Sequence, residues 1–200
     1  MDISLLLLCS LIGMLGGMAS MSFPRWWAAC TLTGAITAFL AGTIVLTGQP
    51  GWSWKSDFLL GGTPLTLLLD AVSAFFLVLL STVAAAGSIY VIRYWPDSTH
   101  PRTAPSGRLW WNAMITGMGL VLTAANGLHF LLGWELFAVS AYFLVSLERG
   151  NPQVRAAGWL YLAASHVGTL ALFAFFASLA AQTGSWELGP MRDNVELAPL

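Results

Sequence analysis

Six apolar runs separated by short polar breaks dominate the chain. A helix that crosses a bilayer needs about 20 mostly apolar residues. The runs at 3–21, 26–47, 65–92, 109–125, 128–147 and 155–181 meet or approach that length. The breaks are of two kinds. Pro24–Arg25 and Asn126–Gly127 read as turns, and the stretch 148–154 with Gly150 and Pro152 reads as a short loop. The stretch 48–64 holds Trp52, Trp54, Lys55 and Asp57 and reads as an interfacial loop, with tryptophans at headgroup depth. The stretch 96–107 carries Pro96, Pro101 and Pro105 and reads as a polar loop. The pattern predicts an all-α polytopic helix bundle of about six transmembrane helices. It divides into two helices and a loop (1–64), a four-helix region (65–181) and a tail or loop (182–200).

Small residues mark the faces where these helices meet. Gly13, Gly16 and Gly17 in the first run, and Ala28, Ala29, Gly34, Ala35, Ala38 and Ala41 in the second, permit close approach of two backbones. Composition agrees with the pattern: 57% of residues are hydrophobic and 8% charged, against roughly 25% charged in soluble domains. Net charge is -1, without the basic stripe that nucleic-acid binding requires.

Lysine and arginine set the expected orientation. Arg25, Arg93, Arg102, Arg108, Arg149 and Arg155 fall on one side of the predicted bundle, Lys55 and Arg192 on the other. The positive-inside bias makes the arginine-rich side cytoplasmic. The N-terminus and the C-terminal tail are then extracytoplasmic. A secretory signal begins with a positive segment; here Asp2 is the only early charge, so the first run reads as a retained span. Cys9 and Cys30 lie alone in apolar runs, without the spacing of a zinc site or a disulfide framework.

Ionisable groups inside the apolar runs are few. A charge at the centre of a membrane helix costs about 2.5–3.5 kcal/mol on insertion scales, and function is its usual reason for being there. Glu135 sits roughly 10–12 Å into the fifth run, near the midplane. No lysine or arginine stands in the core of that run or its neighbours. Desolvation disfavours the charged form of an isolated acid, and a neutral acid in that place can load and release protons. The rival reading is a glutamic acid that only hydrogen-bonds a neighbouring helix; the position favours the relay. His166, mid-depth in the sixth run, is either a proton shuttle, given the ordinary imidazole pKa of about 6.5, or a neutral bridge between helices. The short loop between the fifth and sixth runs puts Glu135 and His166 at similar heights.

His129 and Asp70 are weaker candidates. A bis-histidine haem site from His129 and His166 is disfavoured by their different depths. Asp70, near the start of the third run, either caps that helix end or lines an exit path. Asn112, Thr116, Thr123 and Asn126 read as interhelical bonding groups. No phosphate loop, dinucleotide fingerprint, nucleophile triad or cysteine cluster is present. No metal or cofactor site is therefore expected in this chain.

The run Gly127-Leu-His-Phe-Leu-Leu-Gly-Trp-Glu135-Leu-Phe-Ala-Val-Ser-Ala-Tyr-Phe-Leu-Val145 resembles the fifth-helix signature of the antiporter-like, proton-translocating membrane subunits. Those subunits occur in complex I (NADH–quinone oxidoreductase), Mrp-type sodium/proton antiporters and energy-converting hydrogenases. Leu69-Asp70-Ala-Val-Ser-Ala-Phe-Phe-Leu77 looks like the family's Asp-x-x-Ser-x-x-Phe segment. Ala156-Ala-Gly-Trp-Leu-Tyr-Leu-Ala-Ala-Ser-His166-Val-Gly-Thr-Leu-Ala-Leu172 is similar to the branch of hydrogenase-4 component B and formate hydrogenlyase subunit 3.

The resemblance implies a non-redox membrane subunit of an oxidoreductase complex, with Glu135 as the glutamate of a proton half-channel. In the family that glutamate pairs with a lysine on a later helix, absent here. The chain then corresponds to the N-terminal part of a longer subunit. Nickel–iron, iron–sulfur or flavin centres would belong to partner subunits only. A sodium/proton antiporter subunit, or a non-transporting structural fragment, is the alternative.

Overall fold

The computed structural model describes residues 2–189. Six helices follow the six apolar runs: α1 (Ile3–Ala19), α2 (Pro24–Leu46), α3 (Ala71–Tyr94), α4 (Ala104–Thr123), α5 (Gly127–Val145) and α6 (Pro152–Thr183). By length and composition α2, α3, α5 and α6 qualify as membrane spans; α1 is an apolar helix of 17 residues. Local chemistry fixes the ends. Asp2 and Asn126 accept backbone N–H bonds from Ser4 and Leu128 and cap α1 and α5. Asn151 accepts from the Gln153 N–H and caps α6, with Pro152 following. Gly184, at φ +71°, closes α6 in the left-handed conformation that glycine tolerates.

Several expected bounds give way. The stretch 48–64 is not a plain loop, and the third helix does not start at residue 65. An antiparallel hairpin intervenes, β1 (Trp52–Leu60) with β2 (Thr63–Leu69). Leu60 pairs with Thr63 across Gly61 and Gly62, both at positive φ (+65° and +81°). A two-residue hairpin turn of type I′ asks for that at both central positions. The apolar residues Leu67, Leu68 and Leu69 belong to this strand, and α3 begins only after Asp70 caps it. The division expected after residue 64 therefore falls within β2. Helix α4 also starts earlier than 109, because Pro105 suits a first helical turn and Arg108 is buried and paired. The expectations for Arg192 and for the tail beyond Gly189 lie outside the described residues.

Helices α1 to α4 surround a common centre. The closest approaches are through glycine. A Cβ on Gly13 would stand 2.7 Å from the Cα of Gly34, so α1 and α2 meet backbone to backbone. Gly117 and Gly133 do the same for α4 and α5: a Cβ on Gly117 would lie 2.6 Å from the Phe137 nitrogen. Helix α5 packs on α4, and α6 packs on α5. Leu5, Ile12, Val83, Ile89, Leu160 and Val167 are exposed, as lipid-facing side chains would be. At the end where α4 passes into α5, Ala125 donates to the Thr66 carbonyl of β2 and Gly127 to that of Trp186. The hairpin, the α4–α5 turn and the stretch after α6 are thus joined side by side.

Candidate functional site

Glu135 stands in the middle of α5, eight residues after Gly127, or about 12 Å along the axis. His166 is in the middle of α6. The short connection from Val145 to Pro152 makes the two helices antiparallel neighbours and brings both residues to one depth. The Nε2 atom of His166 is 4.0 Å from Oε2 of Glu135. The Nδ1 atom of His166 is 2.9 Å from the Leu162 carbonyl oxygen. A carbonyl only accepts, so Nδ1 carries the hydrogen. In the neutral ring Nε2 then has its lone pair, and that is the nitrogen turned toward the acid. The arrangement can hold one proton in either of two places, on the carboxyl oxygen or on Nε2. Oε1 of Glu135 is buried and has no hydrogen-bond partner among the described residues, nor has Nε1 of the adjacent Trp134.

The side chains of His166 and Glu135 are 51% and 35% exposed, so the pair lies at the edge of the described bundle and can be approached from beside α6. Toward the hairpin end, Phe176 is buried against Gly127, with Phe130 5.2 Å away between ring centres. Toward the other end, Tyr142 and Trp159 close the α5–α6 contact, and Gly158 lies against Ser146.

The other candidates are elsewhere. His129 is buried two residues into α5, with Nε2 3.3 Å from the Leu60 carbonyl; it ties α5 to the hairpin. Six residues, or about 9 Å of helix, separate it from Glu135. Asp70 is exposed and accepts from the Ser73 N–H at 2.7 Å, as the cap of α3. Cys9 and Cys30 are free thiols.

A second polar cluster lies between α1, α2 and α4. Asn112, fully buried, donates to the Met14 carbonyl and to Thr31, and accepts from the Trp27 indole N–H at 3.1 Å. One turn earlier, the buried Arg108 makes two bonds to Asp97 and a third to the Met21 carbonyl. The hydrogen bonds from Arg108 hold the Asp97 carboxyl below the usual carboxylate range. Of this cluster only the interhelical role of Asn112 is legible in the sequence; the signal for Arg108 is its place at the mouth of an apolar run.

No family model matches the chain. It is 27% identical to hydrogenase-4 component B of Escherichia coli over 135 residues, 68% of this chain and 20% of that protein. It is 30% identical over 182 residues to NADH-quinone oxidoreductase subunit L of Escherichia coli, 84% of this chain and 27% of that one. The chain is a homologue of antiporter-like membrane subunits. It is also 35% identical over 133 residues to an uncharacterized protein of Mycobacterium tuberculosis, 65% of this chain and 20% of the other. The chain spans about a fifth to a quarter of the length of these relatives. Its fold is that of a chain in the membrane-bound sulfane sulfur reductase, an archaeal respiratory membrane complex. The TM-score is 0.75 and the identity 14%, over 92% of this chain and 38% of that one. The apolar helices and this shared fold make the homologue an integral membrane protein.

Proposed function

We propose that this chain is part of a membrane subunit in a redox-driven, proton-translocating respiratory complex, and that Glu135 and His166 together carry protons in it. The observation that carries the reading is their meeting, 4.0 Å apart, in the middle of two apolar helices. An intramembrane acid beside an imidazole lone pair is suited to take a proton from one side and release it to another. The homologues supply the setting: hydrogenase-4 component B and NADH-quinone oxidoreductase subunit L carry their complexes in their names.

In this reading the electron-carrying centres (nickel–iron, iron–sulfur or flavin) sit in partner subunits of a hydrogenase-like or quinone-reducing assembly. Arg25, Arg93, Arg102, Arg149 and Arg155 face the cytoplasm, and the hairpin and N-terminus face the opposite side. The test is Glu135→Gln in the intact complex, reconstituted in vesicles with its electron donor. Electron transfer and assembly should persist while proton translocation is lost. Proton translocation at the native rate would refute the reading.

A further inference from the structure

The centre of the α1–α4 bundle contains a cavity of about 140 Å³. Ala35, Leu80, Ala84, Ile115 and Gly119 border it. On the hairpin side Trp52 and Leu67 border it too, and the Trp52 indole N–H donates to the Ser4 hydroxyl at 2.8 Å. Four hydroxyls border the space, Ser10, Ser81, Thr116 and Thr123. Three of them give their hydrogen to their own helix: Ser81 to the Leu77 carbonyl, Thr116 to that of Asn112 and Thr123 to that of Gly119. A buried water needs two to four polar partners, and apolar cavities of this size stay dry and take up benzene or xenon.

Gly119 supplies an independent argument. A glycine inside a helix costs roughly 0.5–1 kcal/mol relative to alanine, and close packing is the usual reason for accepting that cost. Gly117, two residues earlier, has such a reason in the Phe137 backbone. Apart from the backbone of its own helix, a Cβ on Gly119 would meet no atom within 4 Å. No contact among the described residues requires a glycine there, yet the residue borders the cavity and its missing side chain keeps the space open.

We propose that this cavity is a binding site for a small apolar molecule of about the size of a benzene ring, entering from the bilayer. The site is separate from Glu135 and His166 and does not depend on the function proposed for them.

Crystals of the intact protein pressurised with xenon test it. A xenon peak is expected between Ala35, Leu80, Ile115 and Gly119 in the native protein, reduced to background in Gly119→Leu. No peak there in the native protein, or an ordered water hydrogen-bonded to Ser10 or Thr116 in its place, would overturn the proposal. Gly119→Ala provides the second arm. It should melt at the native temperature or above; a lower melting temperature would show that a packing contact demands the glycine, and would also overturn it.

Discussion

Nε2 of His166 faces Oε2 of Glu135 across the α5–α6 contact, and the ring is turned that way because its Nδ1–H is held by the Leu162 carbonyl one turn earlier. The hydrogen bond fixes the tautomer without any help from the acid. The nitrogen that meets Glu135 is therefore ready to accept a proton whenever the ring is neutral.

His166→Ala removes that acceptor but little packing, since the side chain is half exposed. Assembly and melting temperature should be unchanged. Proton translocation in the intact complex should fall by on the order of 10²-fold, the low end for loss of a positioned acid–base group. Proton translocation at the native rate in His166→Ala would make His166 a bystander.

Asn112 joins three elements through one side chain, with partners Trp27, Thr31 and the Met14 carbonyl. Asn112→Leu takes the side-chain partner from the buried Thr31 hydroxyl and an acceptor from the Trp27 indole N–H. It should destabilise the bundle by about 2 kcal/mol, within the range for orphaned buried polar groups. Thermal unfolding in detergent reads this directly; a loss below about 0.5 kcal/mol would match the weak average for hydrogen bonds between membrane helices instead.

Gly117→Val should disturb the α4–α5 contact, because the new Cβ would meet the Phe137 nitrogen and the Gly133 carbonyl oxygen at 2.6 and 2.9 Å. Forced repacking of this kind costs roughly 1–3 kcal/mol. Lower yield of folded protein and a lower melting temperature are expected, in contrast to Gly119→Ala in the same helix.

The Asp97–Arg108 pair predicts a pH effect. Asp97 titrates below its ordinary value because Arg108 holds its charged form. The folded state therefore binds this proton less readily than the unfolded chain does. The resulting stability is present above the ordinary aspartate pKa of about 3.9 and is lost as pH falls through the lower folded value. Asp97→Asn should remove that acid-side slope and cost on the order of 1–2 kcal/mol near neutrality. That is less than a fully buried pair, since the Asp97 side chain is 39% exposed and water screens it. Unfolding curves recorded from neutral pH down to strongly acidic pH, below the ordinary aspartate pKa, compare the two proteins.

The helices were legible because twenty-residue apolar runs admit few other readings, and the glycines of α1 and α2 marked their contact correctly. The hairpin was hidden by the same signal. Leu67, Leu68 and Leu69 run almost directly into the apolar residues of α3, and a short apolar strand cannot be told from a helix by hydrophobicity alone. The readable clues were Gly61–Gly62 between two apolar segments, and Asp70 as a cap that places the helix start after it. Glu135 and His166 were each conspicuous by charge in an apolar run. That they share a depth followed from the short loop between the helices; that they share a face depended on how α5 and α6 rotate against each other, which packing sets. Arg108 and Asp97 find each other across a loop whose path no periodicity announces.

The most direct test of the central claim is a redox-induced infrared difference spectrum of the intact complex, in the region of protonated carboxyl groups. A carboxylic acid band that changes during turnover is expected, absent in Glu135→Gln and shifted in His166→Ala. A spectrum with no such band, or with a band that both variants leave untouched, would show that Glu135 does not carry the proton.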